Sequence, residues 1–266
     1  MTSTSPNFRD RFLAQERLFG TFLKIPASMP AEILGSLGFD FVVVDEEHSP
    51  FNRETTDLIV LACRAVGIGA VVRVQSPDPA GILSVLDCGA DGILVPHVTD
   101  ADTARAIVAA ARYRRGKRGF APTTRAGTFG ADNTTTHITK QDARVTVIAM
   151  IEDPEAIENI DEILAVEGLD GVFIGRGDLS VAYEDYDGST GVVAKATARV
   201  QAAAKAKGKT VAILPGGPED AAARAADGAS AFILSSDQGF LRAAAKGAHV
   251  SISAAVNAAL KGQSDV

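Results

Sequence analysis

The chain has 266 residues, 46% of them hydrophobic, and a formal net charge of −7. That is enough apolar material for a substantial core and points to one large α/β domain. The acidic balance offers no field to neutralise phosphates, and no apolar run is long enough to span a bilayer, so neither nucleic acid nor membrane is expected as a partner.

Cys63 and Cys88 are the only two cysteines, far apart and without CxxC spacing. Together with an N-terminus lacking an apolar signal core, they fit a reducing cytoplasm best.

In chain order, residues 7–18 predict a short amphipathic helix ahead of the main body. Gly20-Thr21-Phe22-Leu23-Lys24 reads as a first strand, and Pro30 starts a helix that ends near Gly38. Phe39 to Val44 is a second strand, so apolar that both faces must be buried. Asn52 to Val66 is helical, with Gly67 as the stop signal. Strand three is Ala70 to Val74, then a helix from Pro79 to Cys88, strand four from Gly92 to Pro96, and a helix from Asp100 to about Tyr113.

The segment 114–144 interrupts this rhythm as a long loop rich in Gly and Thr. A loop of that length in a compact domain is usually functional or mobile. The cluster Arg112, Arg114, Arg115, Lys117 and Arg118 at its start reads as a solvated face or subunit contact. Strand five, Val145 to Ile151, then ends at Glu152, and strand six, Gly171 to Ile174, ends near Gly175. After a helix over Val192 to Lys207 come strand seven (Thr210 to Leu214), the turn Gly216-Gly217-Pro218 with a short helix, strand eight (Ala231 to Leu234), and a last helix over 238–260.

Eight strands alternating with helices in about 250 residues predict a (β/α)8 TIM barrel, one domain over 1–266. The alternative, a doubly wound open sheet, calls for a glycine-rich turn after the first strand, and Leu23-Lys24-Ile25-Pro26 offers none. In a barrel the active site lies at the carboxyl ends of the strands. Those ends carry Lys24, then Asp45-Glu46-Glu47-His48, Arg73, Pro96-His97, Glu152-Asp153, and Arg176 with Asp178.

Glu152 and Asp178 offer hard oxygen ligands suited to Mg2+, Mn2+ or Co2+, although each alone is explained equally well as a helix cap or rim residue. Asp153, before Pro154, reads as a cap. His48 stands three residues beyond Asp45, so a carboxylate–imidazole pair suited to proton transfer is expected if the strand end curls. Arg73 closes an apolar strand, where a permanent cation needs an anion; Asp45 or Glu47 would serve. His97 reads as a plain rim residue. The glycines of 214–218 resemble a phosphate-binding loop only weakly.

With these residues assembled, the chain resembles the HpcH/HpaI aldolase family, the metal-dependent class II pyruvate aldolases of 4-hydroxy-2-oxo acids. The resemblance is carried by Gly38 to His48 (GFDFVVVDEEH), Val72-Arg73-Val74, Leu94-Val95-Pro96, Met150-Ile151-Glu152, and Gly171 to Ser180 (GVFIGRGDLS), in the family's order and over nearly the whole chain. It implies that Glu152 and Asp178 hold the divalent metal, and that Arg73 stabilises the enolate oxygen. It also implies that His48, oriented by Asp45, handles protons through a water, that Glu47 holds a water on the metal, and that Gly177 and Asp178 join Arg73 in binding substrate. The substrates implied are a 2-oxo acid, pyruvate or hydroxypyruvate, and an aldehyde. The assembly implied is a homo-oligomer, a hexamer built as a trimer of dimers that exchange the last helix.

Two positions depart from the family pattern. Met150 stands where many relatives have Gln, on the same side of its strand as Glu152. Arg176 stands where they usually have Pro, and its cation is expected to bear on substrate choice. The rival readings are a citrate-lyase-like acyl-CoA lyase, whose CoA phosphates the 112–118 cluster would meet, a Schiff-base aldolase using Lys24, and a non-catalytic binder on a barrel scaffold.

Overall fold

Eight parallel strands, each hydrogen-bonded to its neighbours in sequence order, close on themselves because β1 pairs with both β2 and β8. The computed structural model describes residues 7–264. The strands are β1 (Leu18–Leu23), β2 (Phe41–Asp45), β3 (Gly69–Arg73), β4 (Gly92–Val95), β5 (Thr146–Ile151), β6 (Gly171–Ile174), β7 (Thr210–Ile213) and β8 (Ala231–Ser236). This is the predicted (β/α)8 barrel.

Side chains alternate between two cores, as the strand period demands. Along β2, Val42 and Val44 pack outward against the helices, whereas Phe41 and Val43 fill the barrel. The same alternation turns Asp45, Arg73 and Glu152, the next inward positions of β2, β3 and β5, toward the mouth of the barrel. Burial of both faces explains why the strands read as continuous apolar runs.

The opposite end is plugged. Helix Phe8–Leu13 is opened by a capping box in which the Asn7 side chain accepts from the Asp10 N–H at 3.0 Å and the Asp10 carboxylate accepts from the Asn7 N–H at 3.3 Å. Its Phe8 and Phe12 are buried under the strand starts, and the Thr210 hydroxyl donates to the Phe12 carbonyl at 2.6 Å. Gly171 leaves room for the ring: a Cβ there would lie 2.8 Å from Phe12 Cε1. The helix is shorter than the expected 7–18, because the Leu18 N–H is already bonded to Ser230 O at 2.9 Å and Leu18 has begun β1.

The segment 114–144 is not all loop. It holds a 3-10 turn, Arg125–Gly130, and an eleven-residue helix, Thr134–Arg144, capped by Asn133. Three consecutive threonines open that helix, and their weak helix propensity hid it. Tertiary burial of His137 and Gln141 decides the matter: Gln141 Nε2 donates to Ala126 O at 2.9 Å. Nor are Arg112 and Arg118 a solvated face. Arg112 is held by Asp170 and by Val145 O, and Arg118 is fully buried over the Tyr113 ring.

A short helix absent from the sequence reading, Arg176–Ala182, follows β6 directly. The last helix runs Asp237–Ser264, 28 residues, and starts with no intervening loop after β8. Among the described residues no helix is long and apolar enough to cross a membrane.

Candidate active site

The end of β2 and the end of β3 lie in register, Asp45 opposite Arg73. Asp45 is fully buried and receives four donors: Arg73 Nε at 2.9 Å, Arg73 Nη2 at 2.8 Å, Lys24 Nζ at 2.7 Å and the His48 N–H at 3.2 Å. Burial alone would raise its pKa, but Arg73 and Lys24 hold it below the ordinary carboxylate value. Arg73 also reaches Glu47, with Nη1 3.1 Å from Oε2, and its guanidinium lies 4.8 Å over the Phe22 ring. The Glu47 contact is an ion pair without hydrogen-bond alignment, so Oε2 is buried with no hydrogen-bond partner.

The predicted Asp45–His48 pair is therefore different in kind. It forms through the His48 backbone amide, not the ring, because the Asp45 oxygens are already taken by Arg73 and Lys24. The ring of His48 is exposed and stands 3.7 Å from Glu47 Oε2, so Glu47 is its nearest carboxylate partner. Lys24, the alternative nucleophile, has its Nζ engaged by Asp45.

Across the mouth, Glu152 is 2% exposed. Its Oε1 accepts the His97 N–H at 2.9 Å, and Asp178 stands within hydrogen-bonding reach of its carboxylate. Burial, reinforced by the Asp178 charge, pushes the Glu152 carboxyl up to about 7. Asp178 sits in the first turn of helix Arg176–Ala182, whose N-terminal residue Gly175 makes no side-chain cap. Gly175 is required by close approach: a Cβ there would stand 2.6 Å from Glu152 Cβ and 3.0 Å from Met150 Cε.

The donor chemistry fits a divalent cation. A carboxylate pushed toward neutrality by burial, and further by an adjacent carboxylate, is the situation that a hard cation relieves, and the donors here are oxygens with one imidazole at hand.

His97 and Asp153 were undervalued in the sequence. His97 is no idle rim residue: its Nδ1 lies 3.5 Å from Glu152 Oε1 and 3.1 Å from Asp153 Oδ2. Burial alone would lower the His97 pKa, but Asp153, Glu152 and Glu47 together raise it. Asp153 occupies the N-cap position of helix Pro154–Glu158 yet makes no capping bond, since its carboxylate turns to His97. The only signal was a histidine and an acid at neighbouring strand ends.

The two departures have concrete outcomes. Met150 is buried and offers Arg73 Nη1 only a thioether sulfur at 4.0 Å. Arg176 does not present a free cation to the mouth. It pairs with Asp220 at 3.2 and 2.6 Å and donates to Leu214 O at 2.7 Å. Asp220 also takes the Gly216 N–H at 2.8 Å, which removes that amide from any phosphate loop. Between Arg73, Met150, Phe173 and Gly175 to Asp178 lies a cavity of about 500 Å³, roofed in part by Tyr186 and Leu214.

Comparison with known proteins agrees with this architecture. The HpcH/HpaI aldolase/citrate lyase family model matches residues 18–244. A hydroxypyruvate/pyruvate aldolase of Rhizorhabdus wittichii is 35% identical over 229 residues, 85% of this chain and 90% of its own. A 5-keto-4-deoxy-D-glucarate aldolase of Salmonella gallinarum is 33% identical over 241 residues, 90% of this chain and 93% of its own. The crystal structure of an HpcH/HpaI aldolase/citrate lyase family protein from Burkholderia cenocepacia has a TM-score of 0.86 at 28% identity, covering 92% of this chain and 98% of that one. The chain belongs to the HpcH/HpaI aldolase/citrate lyase family.

Proposed function

We propose that this protein is a carbon–carbon lyase that reversibly cleaves a 4-hydroxy-2-oxo acid to pyruvate or hydroxypyruvate and an aldehyde, with a divalent cation held by Glu152 and Asp178. The observation that carries the reading is the buried Glu152 carboxylate beside the exposed Asp178, facing Arg73 across one barrel mouth. When bound, Mg2+, Mn2+ or Co2+ supplies Lewis acidity toward the 2-keto oxygen.

The chain's own residues do the rest. The 2-oxo acid lies in the cavity beside Arg73 with its carboxylate at the turn of Gly177 and Asp178, where the helix start offers backbone N–H groups. During cleavage His48 takes the C4 hydroxyl proton through a water, the C3–C4 bond breaks, and its electron pair forms the enolate. Arg73, fixed by Asp45, places permanent positive charge beside that enolate, and it does not reorganise as charge develops. Protonation at C3 completes pyruvate. Glu47, between Arg73 and the His48 ring, holds water.

The names of the two aldolase relatives support the 2-oxo acid half of the reaction. A homo-oligomer, hexameric in arrangement, suits the long last helix, which exposes Leu241, Val250, Ile252 and Val256. The setting is the cytoplasm. The test is an aldol screen of pyruvate and hydroxypyruvate against varied aldehydes, with chelator and with each added metal. Metal-dependent turnover supports the reading. Turnover that survives the chelator and is trapped by borohydride on Lys24 contradicts it.

A further inference from the structure

Glu152 has a second side that its pairing with Asp178 does not use. There the chain leaves β4 through Pro96 and His97, and His97 adopts φ 53, a left-handed conformation that non-glycine residues enter uncommonly, Asn, Asp and His more often than the rest. That turn brings both polar parts of the residue to Glu152: the N–H at 2.9 Å from Oε1 and ring Nδ1 at 3.5 Å from the same oxygen.

The ring is held from a third direction. Nδ1 is 3.1 Å from Asp153 Oδ2, and an Nδ1–H donated to Asp153 leaves the lone pair on Nε2. Nε2 points to the side of Glu47, 4.0 Å from Oε1. One donor atom each from Glu47, His97 and Glu152 falls within 4.8 Å of the other two. On an octahedral ion with bonds of about 2.1 Å, adjacent donors stand roughly 3 Å apart and opposite ones about 4.2 Å, so the three side chains draw in by about 1 to 2 Å to share one ion.

We propose that His97 is a nitrogen donor to the divalent cation held by Glu152, with Asp153 as the positioning residue that fixes its ring. The inference rests on the metal-dependent reading above and deepens it. A nitrogen in the donor set favours Mn2+, Co2+ or Ni2+ over Mg2+, which prefers oxygen throughout. Neither alternative use of the ring accounts for the geometry as well. An ion pair with Asp153 alone requires no left-handed backbone at His97, and a rim histidine has no reason to take Asp153 from its vacant cap.

The experiment loads the full chain with Mn2+ alone and records pulsed EPR for coupling to imidazole 14N, a readout independent of turnover. His97→Asn is the informative variant, since Asn tolerates the left-handed backbone. His48→Gln tests the other nearby imidazole. The expected result is 14N coupling in the parent and in His48→Gln, lost in His97→Asn while Mn2+ stays bound. Bound Mn2+ without coupling, or coupling lost only in His48→Gln, overturns the nitrogen donor and leaves the metal reading intact. Mn2+ that does not bind the parent above the level of Glu152→Gln overturns both.

Calorimetric titration adds a second arm. His97→Asn should weaken Co2+ about tenfold or more and leave Mg2+ little changed, and Asp153→Asn should weaken Co2+ by about tenfold. Equal losses for both metals would count against a nitrogen donor.

Discussion

Arg73 and Asp45 meet as a two-pronged pair inside the barrel mouth, with Nε 2.9 Å from Oδ1 and Nη2 2.8 Å from Oδ2. They are register partners on adjacent strands, so the sheet itself sets their separation. The arginine that lines the cavity is thereby aimed by backbone pairing and not by a mobile loop.

Breaking that pair from the Asp45 side should cost stability as well as activity. Asp45→Asn leaves Arg73 and Lys24 with one neutral partner, and removing one member of a buried pair costs about 3–5 kcal/mol. Urea unfolding should show the loss at neutral pH. The folded pKa of Asp45 is depressed, so its contribution is present above the unfolded value near 3.8 and disappears as pH falls through the folded one. The variant and the parent should therefore converge in acid.

Gly175→Ala tests the close approach that seats Glu152. The added methyl would meet Glu152 Cβ at 2.6 Å, where overpacking costs about 1–3 kcal/mol. Divalent-metal affinity measured by calorimetry should fall more than unfolding stability does, because the displaced side chain is the proposed metal ligand. A variant with the parent's affinity would contradict the assignment of Glu152.

Metal-free protein should become less stable as pH rises from about 5 to 8. Glu152 titrates near 4.5 when unfolded and about 7 when folded without metal, so the folded state binds the extra proton between those values. Stability is then greatest below the unfolded value and is lost as pH rises through the folded one. Urea midpoints in chelator at pH 5 and 8 measure it, and Glu152→Gln should flatten the difference.

Phe12→Ala should destabilise the barrel from its closed end. Phe12 is fully buried beneath Gly171, and deletion of such a ring costs about 3–5 kcal/mol. Thermal unfolding should show the full loss, with metal affinity of the folded protein unchanged, since the plug and the mouth lie at opposite ends.

Much of this was legible before the fold was known. Strand ends could be read because doubly buried strands are apolar throughout, so Asp45, Arg73 and Glu152 stand out as the first charges after each run. What could not be read depends on backbone direction beyond a strand end. Nothing in Val95-Pro96-His97 declares a left-handed turn, so the ring's place on Glu152 was hidden. The His48 link to Asp45 was expected through the ring because spacing says nothing of which atom bonds. Helix Thr134–Arg144 was concealed by its threonines, and Arg176 was read as a free cation because Asp220 is 44 residues away.

The proposed cation at Glu152 and Asp178 would permit enolate formation opposite Arg73. Proton NMR of pyruvate in deuterated buffer tests it without any aldehyde partner. Metal-dependent loss of the methyl signal is expected with the parent protein, abolished by chelator and by Glu152→Gln. Methyl exchange that proceeds unchanged in chelator, or in Glu152→Gln, would contradict it.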